Sequence, residues 1–417
     1  MRPGGHRRDF QESRIDFHRR LTERWPHGLA DPFDLLGSLP LSRHEIAALH
    51  SAGASIARIY LKVARAYPSL PSDVLRAMGH SRTLRRLCLS DRTRFSLGIS
   101  RIDLAVTESG IKLLEYNADA PGLIFEAAEI NQRVCEAERT IDPNHRARDL
   151  VRAALHSRIR AFRRTRVGRR GGAVAVRCTY RPESQAERAL AEFYAELCAD
   201  RFDAKAISLR GLNAGDEFVY DDNGDVVDVL IRCTPLSNFL DSCDISAETG
   251  RRILRLVARG RLCLVNSLRA YLMESKAIQA LIWGMFERNL FFHREERSII
   301  KRHFLPTYFA PPPHWRRWVE KPLMESRGVG VVVRTRTKRP TARAGCICQR
   351  YVPLKERLLM TELGPRRLTP VVSCVIVQGR TIALTMRAGE PITDERAWIV
   401  PVHRRAEGSG LRAESRT

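Results

Sequence analysis

The sequence predicts an α+β fold of two or three packed modules, and three observations carry that prediction. The chain has 417 residues, more than one hydrophobic core usually serves. Its N-terminal part shows helical periodicity, whereas its last hundred residues hold one short apolar run after another, separated by turn residues. Between the two lies a strand, helix, strand alternation, the rhythm of a parallel sheet. Hydrophobic residues make up 44% of the chain, enough apolar burial to offset the entropy of ordering, so global disorder is excluded.

Residues 10 to about 95 read as helices. In LSRHEIAALHSAGASIARIYLKVARAY the apolar positions recur at three and four, and Ser42 with Glu45 has the spacing of a capping box. Pro68 and Pro71 break the pattern. From about 98 to 116 the texture changes to two strands, ISRIDLAVT and IKLLEYN, joined at Glu108, Ser109 and Gly110 as a hairpin. Helical stretches follow at Ile124 to Arg133 and Arg146 to Arg164, and Gly168, Gly171 and Gly172 mark a boundary.

Beyond it, GGAVAVRC, AKAISL and VVDVLIRC read as strands around the amphipathic helix SQAERALAEFYAELCAD, with another helix from Ala247 to Arg259. A helix is expected around Lys276 to Phe286, then the proline-rich turn Ala310 to Pro313. The strands RWVEKPL, GVGVVV, AGCICQRYV, TPVVSCVIVQ and TIALTMRAG follow, and together they suggest an antiparallel sheet. The expected regions are a helical 1–95, a hairpin with helices over 96–165, an α/β module over 171–262, a module over 263–403 and a disordered tail over 404–417.

A formal charge of +24 implies a field that attracts nucleotides, acidic substrates, nucleic acid or an acidic carrier protein. The densest basic run, Arg158 to Arg170, is either an anion patch or a solvated helix face. Ten scattered cysteines, of which only Cys346 and Cys348 lie close together, match neither paired zinc spacings nor a disulfide framework. Buried reduced thiols in a cytoplasmic protein are the expectation. MRPGGHRRDF lacks the apolar core of a signal peptide, and no run of 18 apolar residues would span a bilayer.

Two constellations carry chemistry. In RIDLAVTESGIKLLEYNADAP the hairpin brings Asp103 against Glu115 and Asn117, which lie two apart and therefore share a strand face. Two carboxylates and an amide are hard oxygen donors suited to Mg2+, although the pattern alone also fits a sheet edge with solvent-facing polar residues. The second constellation is Lys276 in MESKAIQALIWGMF and Lys321 in WVEKPLMESRGVGVVV, the latter followed by Gly328 and Gly330, whose backbone can approach phosphate oxygens closely. Arg387, at the end of the strand TIALTM and before the turn Ala388-Gly389-Glu390-Pro391, is either another phosphate clamp or one surface arginine among many. The chain has no GxSxG, GxGxxG or Walker A pattern and no histidine cluster suited to zinc.

In this order, these segments resemble the glutathionylspermidine synthetase family. The likeness runs from about residue 98 to 403. It rests above all on R-x-D followed by L-L-E-Y-N-x-D, here Arg101, Asp103, Glu115, Asn117 and Asp119. VNSLRAYLMESKAIQALIW, WVEKPLMESRGVGV, ICQRYVPL and VVSCVIVQGRTIALTMRAGEPIT support it. The resemblance implies an ATP-grasp fold with a preATP-grasp-like α/β module over 171–262, a nucleotide-binding module over 263–403 and a helical N-terminal region. It implies ATP and Mg2+ as cofactors, with Asp103, Glu115 and Asn117 holding the metal and Arg101 contacting the transferring phosphoryl group. Lys276 and Lys321 would grip ATP, the loop from Gly328 to Gly330 would cover its phosphates, and Gln349 and Arg387 would complete the site. The metal triad precedes the lysines, as in a permuted ATP-grasp enzyme.

The implied reaction is amide formation between a carboxylate and an amine through an acyl phosphate, with small-molecule or peptide substrates and a carrier protein or tRNA as possible partners. A catalytically silent ATP-binding regulator and an anion-binding module are the alternatives. The family's hydroxyls after E-Y-N-x-D are here Ala120, Pro121 and Gly122, and its aromatic Y-P-W-E-W stretch is CTPLSNFLD at 233–241. Both departures fall where acyl or amine recognition is expected and leave the two substrates open.

Overall fold

The computed structural model describes residues 3–91, 98–165, 173–241, 243–326, 328–335, 343–389, 392 and 396–406. Gly168, Gly171 and Gly172 lie outside the described residues, as do the end of the arginine run and the tail from 407.

The long helix Arg43–Ala66 begins where the sequence places it. Ser42 Oγ accepts the Glu45 N–H at 3.1 Å and Glu45 Oε2 accepts the Ser42 N–H at 2.8 Å, so the expected capping box closes both ways. This helix lies on a six-stranded antiparallel sheet ordered Trp398–Val400, Arg380–Gly389, Gly364–Val377, Ile99–Thr107 and Gly110–Asn117, with Arg357–Thr361 paired to the start of Gly364–Val377. Gly53 allows the close approach, since a Cβ there would stand 2.5 Å from Thr381 Oγ1. Tyr60 of the helix stacks on Tyr116 of the sheet, with centroids 4.1 Å apart.

Alternation along the strands makes the two faces of this sheet unlike. Ile102, Leu104, Leu113, Tyr116, Cys374, Ile376, Leu384 and Met386 point into the core shared with Arg43–Ala66. Ile99, Val375, Val377 and Ala383 point the other way, into a second core with Phe125, Ile130, Val151, Leu155, Phe193 and Val176. On that second face the apolar residues give way to Arg101, Asp103, Ser373, Thr385 and Arg387, the polar end where the candidate site is built.

The parallel sheet is ordered Cys263–Val265, Val229–Arg232, Ala175–Tyr180 and Asp203–Ser208, with the helix Gln185–Cys198 packed on it, as the sequence rhythm predicts. The expectation of one antiparallel sheet in the last hundred residues is corrected. Arg317–Pro322, Val332–Thr335 and Cys346–Arg350 join Thr307–Tyr308 in a four-stranded sheet, whereas Gly364–Val377 pairs with Ile99–Thr107 of the Asp103 hairpin and carries Arg380–Gly389 on its other side. Strand pattern reports length and burial, and these two strands are apolar on both faces because they run through the middle of a sheet.

GVGVVV is a strand only from Val332, because Gly328 and Gly330 have φ of 75° and 67°, outside strand geometry. Arg404, expected to open the tail, is instead in a strand, since Val402–Arg404 pairs with Leu39–Leu41. The described part of the arginine run lies on the helix Ala147–Thr165, with Arg160, Arg163 and Arg164 exposed and Ile159 and Phe162 buried, a solvated helix face. All ten cysteines are free and only Cys243 is exposed. Among the described residues no helix is long and apolar enough to cross a membrane.

Candidate active site between two sheets

The hairpin register sets the site. Asp103 is directly opposite Glu115 and Arg101 opposite Asn117, so all four side chains share one face, as alternation predicts. Between Asp103 and Leu104 the register shifts, and Leu114 becomes the extra residue of a bulge.

Asp103 is the hub. Arg101 donates to both of its oxygens, from Nε and Nη2, each at 2.9 Å. Ser373 Oγ donates to Oδ1 at 2.7 Å, and Asn117 Nδ2 to Oδ2 at 3.3 Å. Arg387 Nη2 approaches Oδ2 at 3.7 Å, while its buried Nε has no hydrogen-bond partner. Burial works to raise the Asp103 pKa, but Arg101, with Arg387 behind it, outweighs that and holds the carboxyl below its ordinary value. Arg101 is steadied in turn, its Nη1 donating to the Gly122 carbonyl at 3.2 Å.

The opposite wall comes from the helix and the strand that carry the two lysines. Lys276, at the start of the helix Ala277–Glu287, meets Glu115 Oε1 at 2.8 Å and also donates to the Glu325 carbonyl. Burial works against both charges, yet the pair prevails, so Glu115 is held below and Lys276 above its ordinary pKa. Lys321, on Arg317–Pro322, donates to the Leu114 carbonyl at 2.9 Å and to Gln349 Oε1 at 2.8 Å. Burial brings its pKa down to about 8.

The structure therefore brings Arg101, Asp103, Glu115, Asn117, Lys276, Lys321, Gln349 and Arg387 into one cluster that bridges the six-stranded and four-stranded sheets. Gly328 and Gly330 lie in the exposed turn beyond Glu325, where the Gly330 carbonyl accepts from Arg343 Nη2 at 3.5 Å. Arg387 is inside its strand rather than at its end, opposite Val371, and Glu390 and Pro391 lie outside the described residues.

Several neighbours escaped sequence reasoning. Ser373 and Thr385 are cross-strand partners on the site face, both fully buried, and Thr385 Oγ1 has no partner. A hydroxyl inside an apolar strand was the available signal. Glu274 Oε2 accepts the N–H groups of Ala118 and Asp119 at 2.7 and 2.9 Å. Burial, then the nearby charge of Asp119, raises its pKa to about 7. Asp119, the last residue of the acidic pattern, turns away from the cluster. Its oxygens accept from Arg232 Nη2 at 2.6 Å and the Leu236 N–H at 2.7 Å, so it ties the hairpin end to the parallel sheet.

Among the described residues no group of three or more His, Cys, Asp or Glu side chains is assembled for a metal. Asp103, Glu115 and Asn117 supply two carboxylates and an amide instead. All three are oxygen donors, and both acids are held ionised, a set whose chemistry fits Mg2+.

Residues 38–404 match the glutathionylspermidine synthase preATP-grasp family. The chain belongs to that family. All ten residues picked from the sequence fall inside the matched span. The glutathionylspermidine synthase-like chain is similar in structure to the glutathione synthetase like-effector of Globodera pallida in its apo form, at 12% identity and TM-score 0.59, covering 89% of this chain and 90% of that one. That likeness shows the fold, which is α+β. A putative gamma-glutamylcysteine synthetase from Methylobacillus flagellatus KT is matched at 8% identity and TM-score 0.42 over 87% of this chain and 88% of that one. No curated protein matches the sequence. Family and fold together point to an ATP-grasp-type ligase.

Proposed function

We propose that the protein is an ATP- and Mg2+-dependent carboxylate–amine ligase that forms an amide through an acyl phosphate and releases ADP and phosphate. The observation that carries this reading is the convergence in one cluster of two ionised carboxylates and an amide with two lysines and two arginines from four separate stretches of the chain. Bound Mg2+ would supply charge neutralisation on the nucleotide phosphates. Asp103, Glu115 and Asn117 would hold it, with Glu115 exchanging its contact with Lys276 for the metal and Lys276 turning to phosphate oxygens. Lys321 has two acceptors for its three hydrogens among the described residues and so keeps one to offer an anion.

Arg101 and Arg387 face the same carboxylate, and guanidinium groups remain charged throughout the working range. Both would stabilise charge that builds on the transferring phosphoryl group. The incoming amine then displaces phosphate from the acyl phosphate, a route that needs no covalent protein nucleophile. The buried thiols agree with that. Burial raises Cys374, beside the site, far above the ordinary thiol value, which makes it a poor nucleophile.

The experiment is nucleotide analysis of the purified protein with Mg2+-ATP and a mixed library of carboxylates and amines, together with mass spectrometry of condensed products. ADP, phosphate and an amide are expected. AMP would show adenylation and overturn the reading. ATP binding that stays without turnover across the library would support a silent nucleotide-binding regulator.

A further inference from the structure

The Lys321 ammonium sits in a closed ring of hydrogen bonds that includes a residue to which the family resemblance gives no role. Lys321 Nζ donates to the Leu114 carbonyl at 2.9 Å and to Gln349 Oε1 at 2.8 Å. Gln349 Nε2 donates to Gln279 Oε1 at 2.7 Å, and Gln279 Nε2 donates back to the same Leu114 carbonyl at 3.3 Å. Gln279 and Gln349 are almost completely buried.

The direction of this ring is dictated by chemistry. An ammonium only donates, so Gln349 must offer it an oxygen and turn its NH2 group to Gln279. Gln279 must then answer with its own oxygen, and its NH2 is left for a carbonyl. The hairpin bulge supplies that carbonyl, because Leu114 is the unpaired residue between the Asp103–Glu115 and Leu104–Leu113 pairs. Gln279 stands three residues after Lys276 on a helix of apolar residues, so one helix carries one phosphate-side lysine and the support of the other.

We propose that Gln279 is a positioning residue of the nucleotide site. By fixing the amide of Gln349, it holds the Lys321 ammonium on the Leu114 bulge with its third hydrogen free for an anionic oxygen. The proposal rests on the ligase reading for the identity of that anion, a nucleotide phosphate, but the ring itself is testable in the free protein.

The experiment is acylation of Lys321 by a small amine-reactive ester across pH, read by peptide mass spectrometry on the full chain, in wild type, Gln279→Leu and Gln279→Glu. Gln279→Leu removes the group that orients Gln349, so the ammonium loses support and labelling at pH 7 rises several-fold. Gln279→Glu keeps an acceptor for Gln349 and adds negative charge, so labelling falls. Opposite shifts cannot come from unfolding, which exposes the lysine in both variants. Labelling unchanged, or moved the same way in both, would overturn the proposal.

In a second arm, Mg2+-ATP titrated calorimetrically should bind Gln279→Leu about tenfold more weakly than wild type, in line with losing support for one charged hydrogen bond. The double variant with Gln349→Leu should be no weaker than Gln349→Leu alone. Additive losses would contradict the ring. A wild type that binds no nucleotide would sink the ligase reading, while the labelling arm would still decide the role of Gln279.

Discussion

Two buried aspartates lie sixteen positions apart in the sequence and are built for opposite ends. Asp119 and Arg232 are sealed from solvent, with side-chain exposures of 2% and 0%, and the second Asp119 oxygen is filled by a backbone N–H, although Arg232 Nε has no hydrogen-bond partner. Asp103 and Arg101 have side-chain exposures of 4% and 11%, and Arg387 at 16% stands beside them with Nε unpartnered. The sealed pair is a latch between the hairpin and the parallel sheet. The open pair leaves cationic donors unspent beside an ionised carboxylate, the arrangement a phosphoryl group would complete. An Arg–Asp pair thus reports structure or chemistry according to how far it opens to solvent and how many cations share its carboxylate.

The largest effects separate the two ends. Asp119→Ala leaves the Arg232 charge buried without its partner and should cost about 3–5 kcal/mol of stability, read as a lowered urea midpoint. Glu115→Gln keeps shape and hydrogen-bonding capacity at a side chain with 19% exposure. Because it also takes the carboxylate from the buried Lys276, it should lower the urea midpoint somewhat, but less than Asp119→Ala does, while turnover drops on the order of 10³-fold, equivalent to about 4 kcal/mol. If Glu115→Gln unfolds the protein, or if Asp119→Ala is stable, the contrast between site and latch is broken.

A smaller effect sharpens the open end. Burial brings Lys321 down to about 8, and only the ammonium can hold a phosphate. ATP affinity should therefore be flat below pH 7 and fall toward tenfold per unit above pH 8. Lys321→Arg should keep its affinity through that range, because a guanidinium does not titrate there. Equal pH profiles for the two proteins would contradict the assignment.

The smallest effect concerns Glu274, beside the latch. Its pKa is raised to about 7 in the folded protein, first by burial and then by Asp119, above the value near 4.3 of an unfolded glutamate. Between those values the folded state binds the extra proton, so stability falls as pH rises toward 7. Glu274→Gln removes that dependence and should gain melting temperature relative to wild type as pH is raised from 5 to 8. A constant difference across the range would show that Glu274 is not strained by its neighbours.

Much of this was legible in the sequence, and the reasons are local. The capping box at Ser42 and Glu45, the hairpin around Glu108 and Ser109, and the one-face grouping of Asp103, Glu115 and Asn117 follow from spacing alone. Sheet partnership was not legible. The strand at 364–377 pairs with a hairpin more than two hundred residues earlier, and strand pattern does not name a partner. The bulge at Leu114 was hidden for a related reason, since it appears only once the register of both strands is known. Asp119 was misleading because it continues the acidic pattern, while its fate depends on Arg232, over a hundred residues away. Gln279 and Ser373 did leave a trace, each a lone polar residue in an apolar run, which helix and strand periodicity alone passes over.

The most direct test of the central claim is calorimetric titration of ATP, with and without Mg2+, into wild type and Glu115→Gln. The account predicts that Mg2+ strengthens wild-type binding at least about tenfold, or about 1.4 kcal/mol, and that the variant binds ATP with no gain from the metal. Binding that ignores Mg2+ in wild type, or a metal gain that survives Glu115→Gln, would contradict the assignment of the hairpin as the metal-holding wall of the site.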